Sequence, residues 1–144
     1  FEQQASITVQ VNYHGTLAVT RAMLPLLRAS PSSPRIVNVA SAAGRLRGSK
    51  EIQDAFTSSD LDVPTLSSLM EAFVRDAEAG VHADNGWPNT CYGVSKMGMI
   101  ALTRVLAREE PLVKINSCDP GFCATDQNQN QGYISAAEGA ASKL

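Results

Sequence analysis

The run Arg35-Ile36-Val37-Asn38-Val39-Ala40-Ser41 indicates the fold class of this sequence. It is short, apolar and rich in β-branched residues, and polar and apolar positions do not alternate along it. This pattern is typical of a parallel strand that is buried on both faces of a sheet. We therefore predict a strand over residues 35–40 that delivers Ser41 at its carboxyl end.

The segment before this strand carries apolar residues at spacings that are largely helical. We predict one long, largely buried helix from about Phe1 to Ala29, with Pro25 near its end. The residues that carry this prediction are Ile7, Val11, Leu17, Met23, Leu24, Leu26 and Leu27.

Three further elements are predicted after the strand. Residues 44–63 are polar and are expected to be irregular, and a second helix is predicted to open at Pro64 and to end at Gly80. A third helix is expected from about residue 89 to residue 108, followed by a second strand at residues 112–116. The predicted buried side of the third helix consists of Met97, Ile100, Ala101, Leu102, Val105 and Leu106.

The order of these elements predicts an α/β fold. Strands that alternate with helices imply right-handed crossovers and a parallel sheet. Two strands do not make a complete doubly wound sheet, so we expect the chain to form the C-terminal half of one. The 144 residues have the length of one domain. Within it, residues 45–88 are expected to be a helical insert.

Composition excludes several functions. The net charge is −2, with 44% apolar and 18% charged residues, which is the profile of a globular chain. Lys and Arg are scattered, so no basic cluster predicts nucleic-acid binding. No apolar run approaches the roughly 20 residues that a membrane span needs. We therefore expect neither a nucleic acid nor a membrane as partner.

The cysteines and histidines do not predict a metal site. Cys91, Cys118 and Cys123 are odd in number and form no Cys-x-x-Cys pair, which argues against a disulfide framework or a zinc site and fits a reducing compartment. His14 and His82 lie far apart, and surface or packing roles are expected for both. No metal is therefore predicted.

The sequence Tyr92-Gly93-Val94-Ser95-Lys96 is the central chemical signal. Positions four apart on a helix share a face, so Tyr92 and Lys96 are expected to project side by side. A neighbouring ammonium stabilises a phenolate, whose parent phenol ordinarily has a pKa of about 10, and thereby makes the phenol usable as a general acid and base. Taken alone, the pair is also compatible with an exposed helical pair that has no catalytic role.

The predicted strand ends point to one crevice. In open α/β sheets, ligands bind outside the carboxyl ends of the strands. Ser41 follows the first strand, and the Pro120-Gly121 turn follows the second. Ser41 could instead cap the backbone of a loop, and Pro120-Gly121 could be an ordinary turn. The ordered set of features favours a functional site over these separate structural roles.

The ordered motifs resemble those of the short-chain dehydrogenase/reductase family over nearly the whole chain. They are residues 12–16 (NYHGT), 38–41 (NVAS), Tyr92 to Lys96, and Pro120-Gly121 with Thr125-Asp126. The long gap between Ser41 and Tyr92 is similar to that of the monomeric carbonyl reductases, as are the stretches Phe73-Val74-Arg75-Asp76, Gly80-Val81-His82 and Gly86-Trp87-Pro88. The resemblance implies a partial Rossmann-type doubly wound parallel sheet, with the helical insert placed before the active-site tyrosine.

The resemblance implies a catalytic role for four residues. Tyr92 would protonate the carbonyl oxygen of a ketone, aldehyde or quinone as hydride arrives from a nicotinamide cofactor. Ser41 would hydrogen-bond the same oxygen and so contact the substrate. Lys96 would hold the cofactor ribose hydroxyls and favour the phenolate of Tyr92. Asn12 would help to place Lys96 and a proton-relay water.

The resemblance also implies a cofactor loop and a cofactor. Pro120, Gly121, Cys123, Ala124 and Thr125 would lie against the nicotinamide, with the Thr125 hydroxyl bonding its carboxamide or phosphate. NADPH is implied by the likeness to carbonyl reductases alone. The preceding Asp119 places a charge close to this loop.

The insert and two aromatic residues are candidates for the walls of the substrate pocket. Residues 45–88 would wall the substrate pocket and cover a surface that other members use to oligomerise, so the complete protein is expected to be monomeric. Phe122 and Trp87 are candidates for an apolar lining, with a core or surface role as the alternative for each.

Several family features are missing from this sequence. A glycine-rich phosphate turn, an Asn-Asn-Ala-Gly strand and the residue that selects NAD or NADP are expected to precede Phe1, and both ends are interpreted as cuts. The alternative to a reductase is a truncated, non-catalytic relative that acts only as an interaction module. The expected location is cytoplasmic, or peroxisomal if Ser142, Lys143 and Leu144 form the native C-terminus.

Overall fold

Two parallel strands, β1 (Arg35–Val39) and β2 (Lys114–Cys118), form the central sheet of the protein. The computed structural model describes residues 2–141. The strands pair from Arg35 opposite Lys114 to Val39 opposite Cys118, so both end at the same edge of the sheet. This parallel pairing confirms the predicted α/β class.

Six helices and a second small sheet accompany this strand pair in residues 2–141. The helices are α1 (Glu2–Val9), α2 (Thr16–Arg28), α3 (Lys50–Thr57), α4 (Val63–Glu78), α5 (Cys91–Glu109) and α6 (Ala136–Ala141). A π-helical segment, Gln10–Gly15, joins α1 to α2 without a break. The small sheet pairs β3 (Cys123–Ala124) with β4 (Ile134–Ser135) in parallel.

The long N-terminal helix is confirmed from Glu2 to Arg28, with Phe1 outside the described residues, but the prediction that it is largely buried was wrong. Its buried side repeats every three or four residues and packs against α4 and α5. That side consists of Ala5, Val9, Tyr13, Leu17, Thr20 and Leu24. A second apolar face has no partner among residues 2–141, because the helices pack on the other side. It exposes Ile7, Val11, Val19, Met23 and Leu26.

The strand β1 is likewise buried on one face only. Asn38 is buried, and its amide Nδ2 donates to the Thr103 hydroxyl of α5 at 2.8 Å. Val37 and Val39 point to the opposite face and are 53% and 55% exposed. The predicted burial on both faces was wrong because, within the described residues, helices cover one side of the sheet.

Two boundaries differ from the sequence prediction. Residues 44–63 contain the helix α3, which the polar composition concealed; its N-cap is Ser49, whose hydroxyl accepts from the Ile52 N–H. The second strand begins two residues later than predicted. Its expected start, Leu112-Val113, lies in a turn in which the Val113 N–H donates to the Glu110 carbonyl.

Trp87 belongs to the core. Its ring packs edge-on against Phe56 and Phe73, with centroid distances of 6.2 and 5.4 Å. The indole N–H, the one polar group of the buried tryptophan side chain, donates to the Asp76 carboxylate at 2.8 Å. Of the two roles considered for Trp87, the core role is therefore the observed one.

A tight contact places the end of β1 against α5. The short 3₁₀ turn Ala42–Gly44 follows Ser41, and a Cβ atom added to Gly44 would lie 2.6 Å from the Lys96 carbonyl carbon and 2.8 Å from the Met97 nitrogen. Both neighbours are backbone atoms of a buried helix that cannot move aside. Gly44 is therefore required for the turn to reach α5.

Within residues 2–141, no helix is both long and apolar enough to cross a membrane. The same residues contain no cluster of three or more His, Cys, Asp or Glu side chains that could hold a metal ion. The terminal Ser142, Lys143 and Leu144, on which the peroxisomal alternative depends, lie outside the described residues.

We predict that Gly44→Ala lowers the free energy of unfolding by about 1–3 kcal/mol, because the added methyl group overpacks a rigid backbone contact. Urea denaturation measures this change. Gly15→Ala is the control, since its added Cβ has only an ordinary 3.5 Å contact with the Gln10 carbonyl. Equal stability of the two variants would contradict the proposed close approach.

Candidate active site

A cavity of about 1190 Å³ lies at the carboxyl edge of the central sheet. Its walls come from the N-terminal helix, the end of β1, the first turns of α5 and the loop after β2. Parallel strands bring their carboxyl ends to one edge, which is where α/β sheets bind ligands. The edge at which the order of motifs predicts a site therefore carries a cavity.

Tyr92 and Lys96 share one face of α5 and both line this cavity. The Lys96 Nζ lies 5.6 Å from the centroid of the Tyr92 ring, within range of a cation–π attraction. Tyr92 is 46% exposed, so its phenol is open to the cavity. The helix starts at the right residue because the Thr90 hydroxyl caps it, accepting from the Gly93 N–H at 3.0 Å.

The Lys96 ammonium is fixed by the end of the neighbouring strand. It donates to the Val39 carbonyl at 2.8 Å. Lys96 is half-buried, and the loss of water around it holds the pKa of its ammonium below the ordinary value of 10.5. One cation therefore links β1 to the tyrosine helix and lies beside the phenol.

Ser41 stands at the start of the 3₁₀ turn with extended backbone angles. Its hydroxyl oxygen accepts from the Ala43 N–H at 3.2 Å, which is the local capping role that the sequence allowed as an alternative. The same side chain lines the cavity together with Tyr92 and Lys96. A hydroxyl proton remains for donation, because a serine that accepts one bond can still donate another.

Asn12 lies in the π-helical segment and reaches α5 through a residue that the sequence analysis missed. Its amide Nδ2 donates to the Ser95 hydroxyl at 3.0 Å, and that hydroxyl donates to the Tyr92 carbonyl at 2.8 Å. Ser95 is fully buried. Asn12 was expected to act on Lys96, but its observed side-chain bond is to Ser95. The available signal for Ser95 was a polar residue on the buried side of the helix.

The loop after β2 is held in shape by its own side chains. Gly121 has φ = +82°, a conformation that favours glycine, and its N–H donates to the Asp119 carboxylate at 3.0 Å. Asn128, which the sequence analysis also missed, clamps the following segment. Its amide donates to the Cys123 carbonyl at 2.8 Å and accepts from the Thr125 N–H at 3.1 Å.

All the predicted site residues except Ala124 line the cavity, as do two aromatic side chains. Phe122 and Tyr133 are 46% and 80% exposed, and their ring centroids are 5.9 Å apart. By contrast, no residue of 45–88 is among those that line the cavity, so the expectation that the insert walls the pocket was wrong for the described residues. The insert instead packs its helices α3 and α4 against α5.

The comparisons with known proteins agree with this geometry. No protein-family model matches the sequence. Carbonyl reductase [NADPH] 1 of Rattus norvegicus is 37% identical over 150 aligned positions, which cover 97% of this chain and 53% of that protein. The (+)-neomenthol dehydrogenase of Capsicum annuum is 40% identical over 139 positions, which cover 93% of this chain and 44% of that protein.

A solved structure of a reductase is also similar to this chain. Salutaridine reductase from Papaver somniferum superposes with a TM-score of 0.90 at 31% identity, covering 98% of this chain and 49% of that one. The chain thus spans about half the length of the relatives that it matches.

Fold and site together define an α/β protein of the Rossmann-like class, with a tyrosine–lysine helix that opens at the carboxyl edge of a parallel sheet. The sequence relatives of the chain are carbonyl reductases and short-chain dehydrogenase/reductases, which it matches over nearly all of its own length. The resemblance drawn from the motifs is thereby confirmed, while the catalytic roles of the individual residues stay predictions.

We predict that Lys96 loses its proton at a lower pH than Lys50. The pKa of Lys50 is raised by its hydrogen bond to Asp54 and by the negative charge of that carboxylate. Titration of the lysine Cε signals by ¹³C NMR measures both midpoints. The folded state binds the Lys96 proton less tightly than the unfolded state does. The free energy of unfolding therefore increases as the pH rises from the folded midpoint of Lys96 towards 10.5. A Lys96 midpoint at or above that of Lys50 would refute the desolvation.

Proposed function

We propose that the protein containing this chain reduces carbonyl compounds (ketones, aldehydes or quinones) to alcohols, with NADPH as the hydride donor. The observation that carries the proposal is the position of Tyr92 beside the Lys96 ammonium, in the cavity that Ser41 also lines. The name of the rat relative, carbonyl reductase [NADPH] 1, supports both the reaction and the cofactor.

The residues present fit one end of such a cofactor. Tyr92, Lys96, Pro120, Gly121 and the 123–125 loop would hold the nicotinamide and its ribose. Lys96 offers ammonium protons to ribose hydroxyls, and the loop offers backbone groups fixed by the Asn128 clamp. When bound, the nicotinamide supplies the hydride.

The chain's own residues would handle the charge and the proton. As the carbonyl oxygen becomes negative, the Ser41 hydroxyl donates a hydrogen bond to it, and Tyr92 Oη transfers its proton to it. The Lys96 ammonium then stabilises the phenolate that remains. Donors that are already in place stabilise such developing charge without reorganisation. The bond from Lys96 to the Val39 carbonyl keeps its charge in place.

Asn12 and Ser95 would act as positioning residues. Their hydrogen-bonded chain ends at the Tyr92 carbonyl, so it fixes the backbone that carries the phenol. The Asn12 carbonyl in turn accepts from the Thr16 hydroxyl at 2.8 Å. These bonds join the N-terminal helix to α5 at the level of the proposed proton donor.

A non-catalytic interaction module is the second candidate. The exposed apolar side chains of Val11, Val19, Val37 and Val39 favour it, because apolar patches of this kind promote association. Titration with NADPH distinguishes the two candidates. A protein that serves only as an interaction module binds none, whereas the proposed reductase binds it stoichiometrically.

We predict that Tyr92→Phe lowers the turnover of a carbonyl substrate by about 10²–10⁴-fold, which is the usual contribution of a general acid. Its Kd for NADPH changes little, because the ring and Lys96 remain. Tyr13→Phe is the matched control: it removes a hydroxyl that bonds to Ser67 at 3.0 Å, outside the cavity, and keeps its turnover. Retained turnover in Tyr92→Phe would rule out the proposed proton donor.

We also predict that Asn128→Ala raises the Kd for NADPH by about tenfold, the equivalent of losing roughly two ordinary hydrogen bonds in the cofactor loop. Fluorescence titration measures the Kd. Gln131→Ala, at an exposed position in the same loop, is the control and is expected to bind NADPH as the unmodified protein does. An unchanged Kd in Asn128→Ala would mean that the clamp does not shape the cofactor loop.

A further inference from the structure

The cavity contains one carboxylate. Among the described residues that line it, the only charged side chains are Lys96 and Asp119. Lys96 lies beside Tyr92 and bonds to the Val39 carbonyl, so its charge is used within the proposed catalytic group. Asp119 follows β2 directly and has no part in the proposed reaction.

The Asp119 carboxylate is fixed but not neutralised. Its Oδ1 accepts from the Gly121 N–H, and it takes part in neither of the two ion pairs found in residues 2–141, which are Arg28–Glu110 and Lys50–Asp54. A carboxylate has about four acceptor sites, so one backbone bond leaves most of its capacity unused. Asp119 is half-buried, which strengthens its field within the cavity.

Two aromatic rings line the same cavity. Phe122 follows Asp119 by three residues, and its ring lies 5.9 Å from that of Tyr133, tilted by 57°. The faces of aromatic rings attract cations, and a quaternary or protonated amine is the organic cation that such rings recognise best. One cavity is thus lined by a carboxylate and two aromatic rings, and groups of both kinds attract an ammonium ligand.

We propose that the cavity selects carbonyl substrates that also carry a positively charged amine, with the amine held at Asp119 against Phe122 and Tyr133. This inference rests on the proposed reductase function, since it names the substrate class of that site. A structural role in the turn does not require the charge, because an asparagine would accept the same bond from the Gly121 N–H. The variant Asp119→Asn therefore removes the charge and keeps the turn.

The test uses two pairs of compounds that differ only in charge. One pair is a ketone that carries a trimethylammonium group and its tert-butyl isostere; the other pair is the two corresponding alcohols. Calorimetric titration of the intact protein with the alcohols gives a binding ratio that does not depend on turnover, and the ketones give a kcat/KM ratio. The control Asp126→Asn removes an exposed charge of the same loop that does not line the cavity.

We expect the unmodified protein and Asp126→Asn to bind the cationic alcohol at least about tenfold more tightly than its neutral isostere, and Asp119→Asn to lose this preference. Equal binding of both alcohols to the unmodified protein would overturn the inference. An unchanged binding ratio of the two alcohols in Asp119→Asn would overturn it as well. If that variant also changes the affinity for oxidised relative to reduced cofactor, the charge of Asp119 acts on the nicotinamide instead. Failure to reduce either ketone, with the binding preference intact, would instead count against the reductase function.

Discussion

The site depends on one close packing contact, that of the turn after β1 against the helix α5. The turn Ala42–Gly44 reaches the backbone at Lys96 because residue 44 has no side chain. Gly93 makes a similar approach possible one turn earlier, where an added Cβ would lie 3.0 Å from the Ala43 carbonyl. These two glycines bring the end of β1 beside the helix that carries Tyr92. Protein interiors transmit such constraints because they are close-packed.

Polar bonds then fix the helix in rotation as well as in distance. Lys96 bonds to the Val39 carbonyl on one side, and Ser95 bonds to Asn12 on the other. The Thr103 hydroxyl accepts from the buried Asn38 further along the same helix. Each of these polar side chains has a hydrogen-bond partner, and a satisfied network of this kind specifies one arrangement rather than several. The π-helical segment that contains Asn12 is itself a feature often found at functional sites.

Sequence reasoning found what depends on local pattern and missed what depends on distant partners. The helices α4 and α5 follow from apolar periodicity, and Ser41 follows from the rule that ligands lie at strand ends. By contrast, Ser95 owes its position to a residue 83 positions away, and no local pattern records that bond. The exposure of Val37 was missed because an apolar run predicts a strand that is covered on both faces. The described residues cover only one face of β1.

The described cavity carries side chains for the proposed reaction but no glycine-rich turn for the phosphates of a dinucleotide. Among the described residues that line it, the single basic side chain is Lys96, which donates to a strand carbonyl and lies beside the phenol, where the proposed reaction uses its charge. Doubly wound folds hold the phosphates of a dinucleotide at a glycine-rich turn before a helix. The 144 residues contain no Gly-x-Gly-x-x-Gly turn. In the proposed reductase, these residues would position the reacting carbonyl and supply its proton, and they offer no turn of this type to the diphosphate.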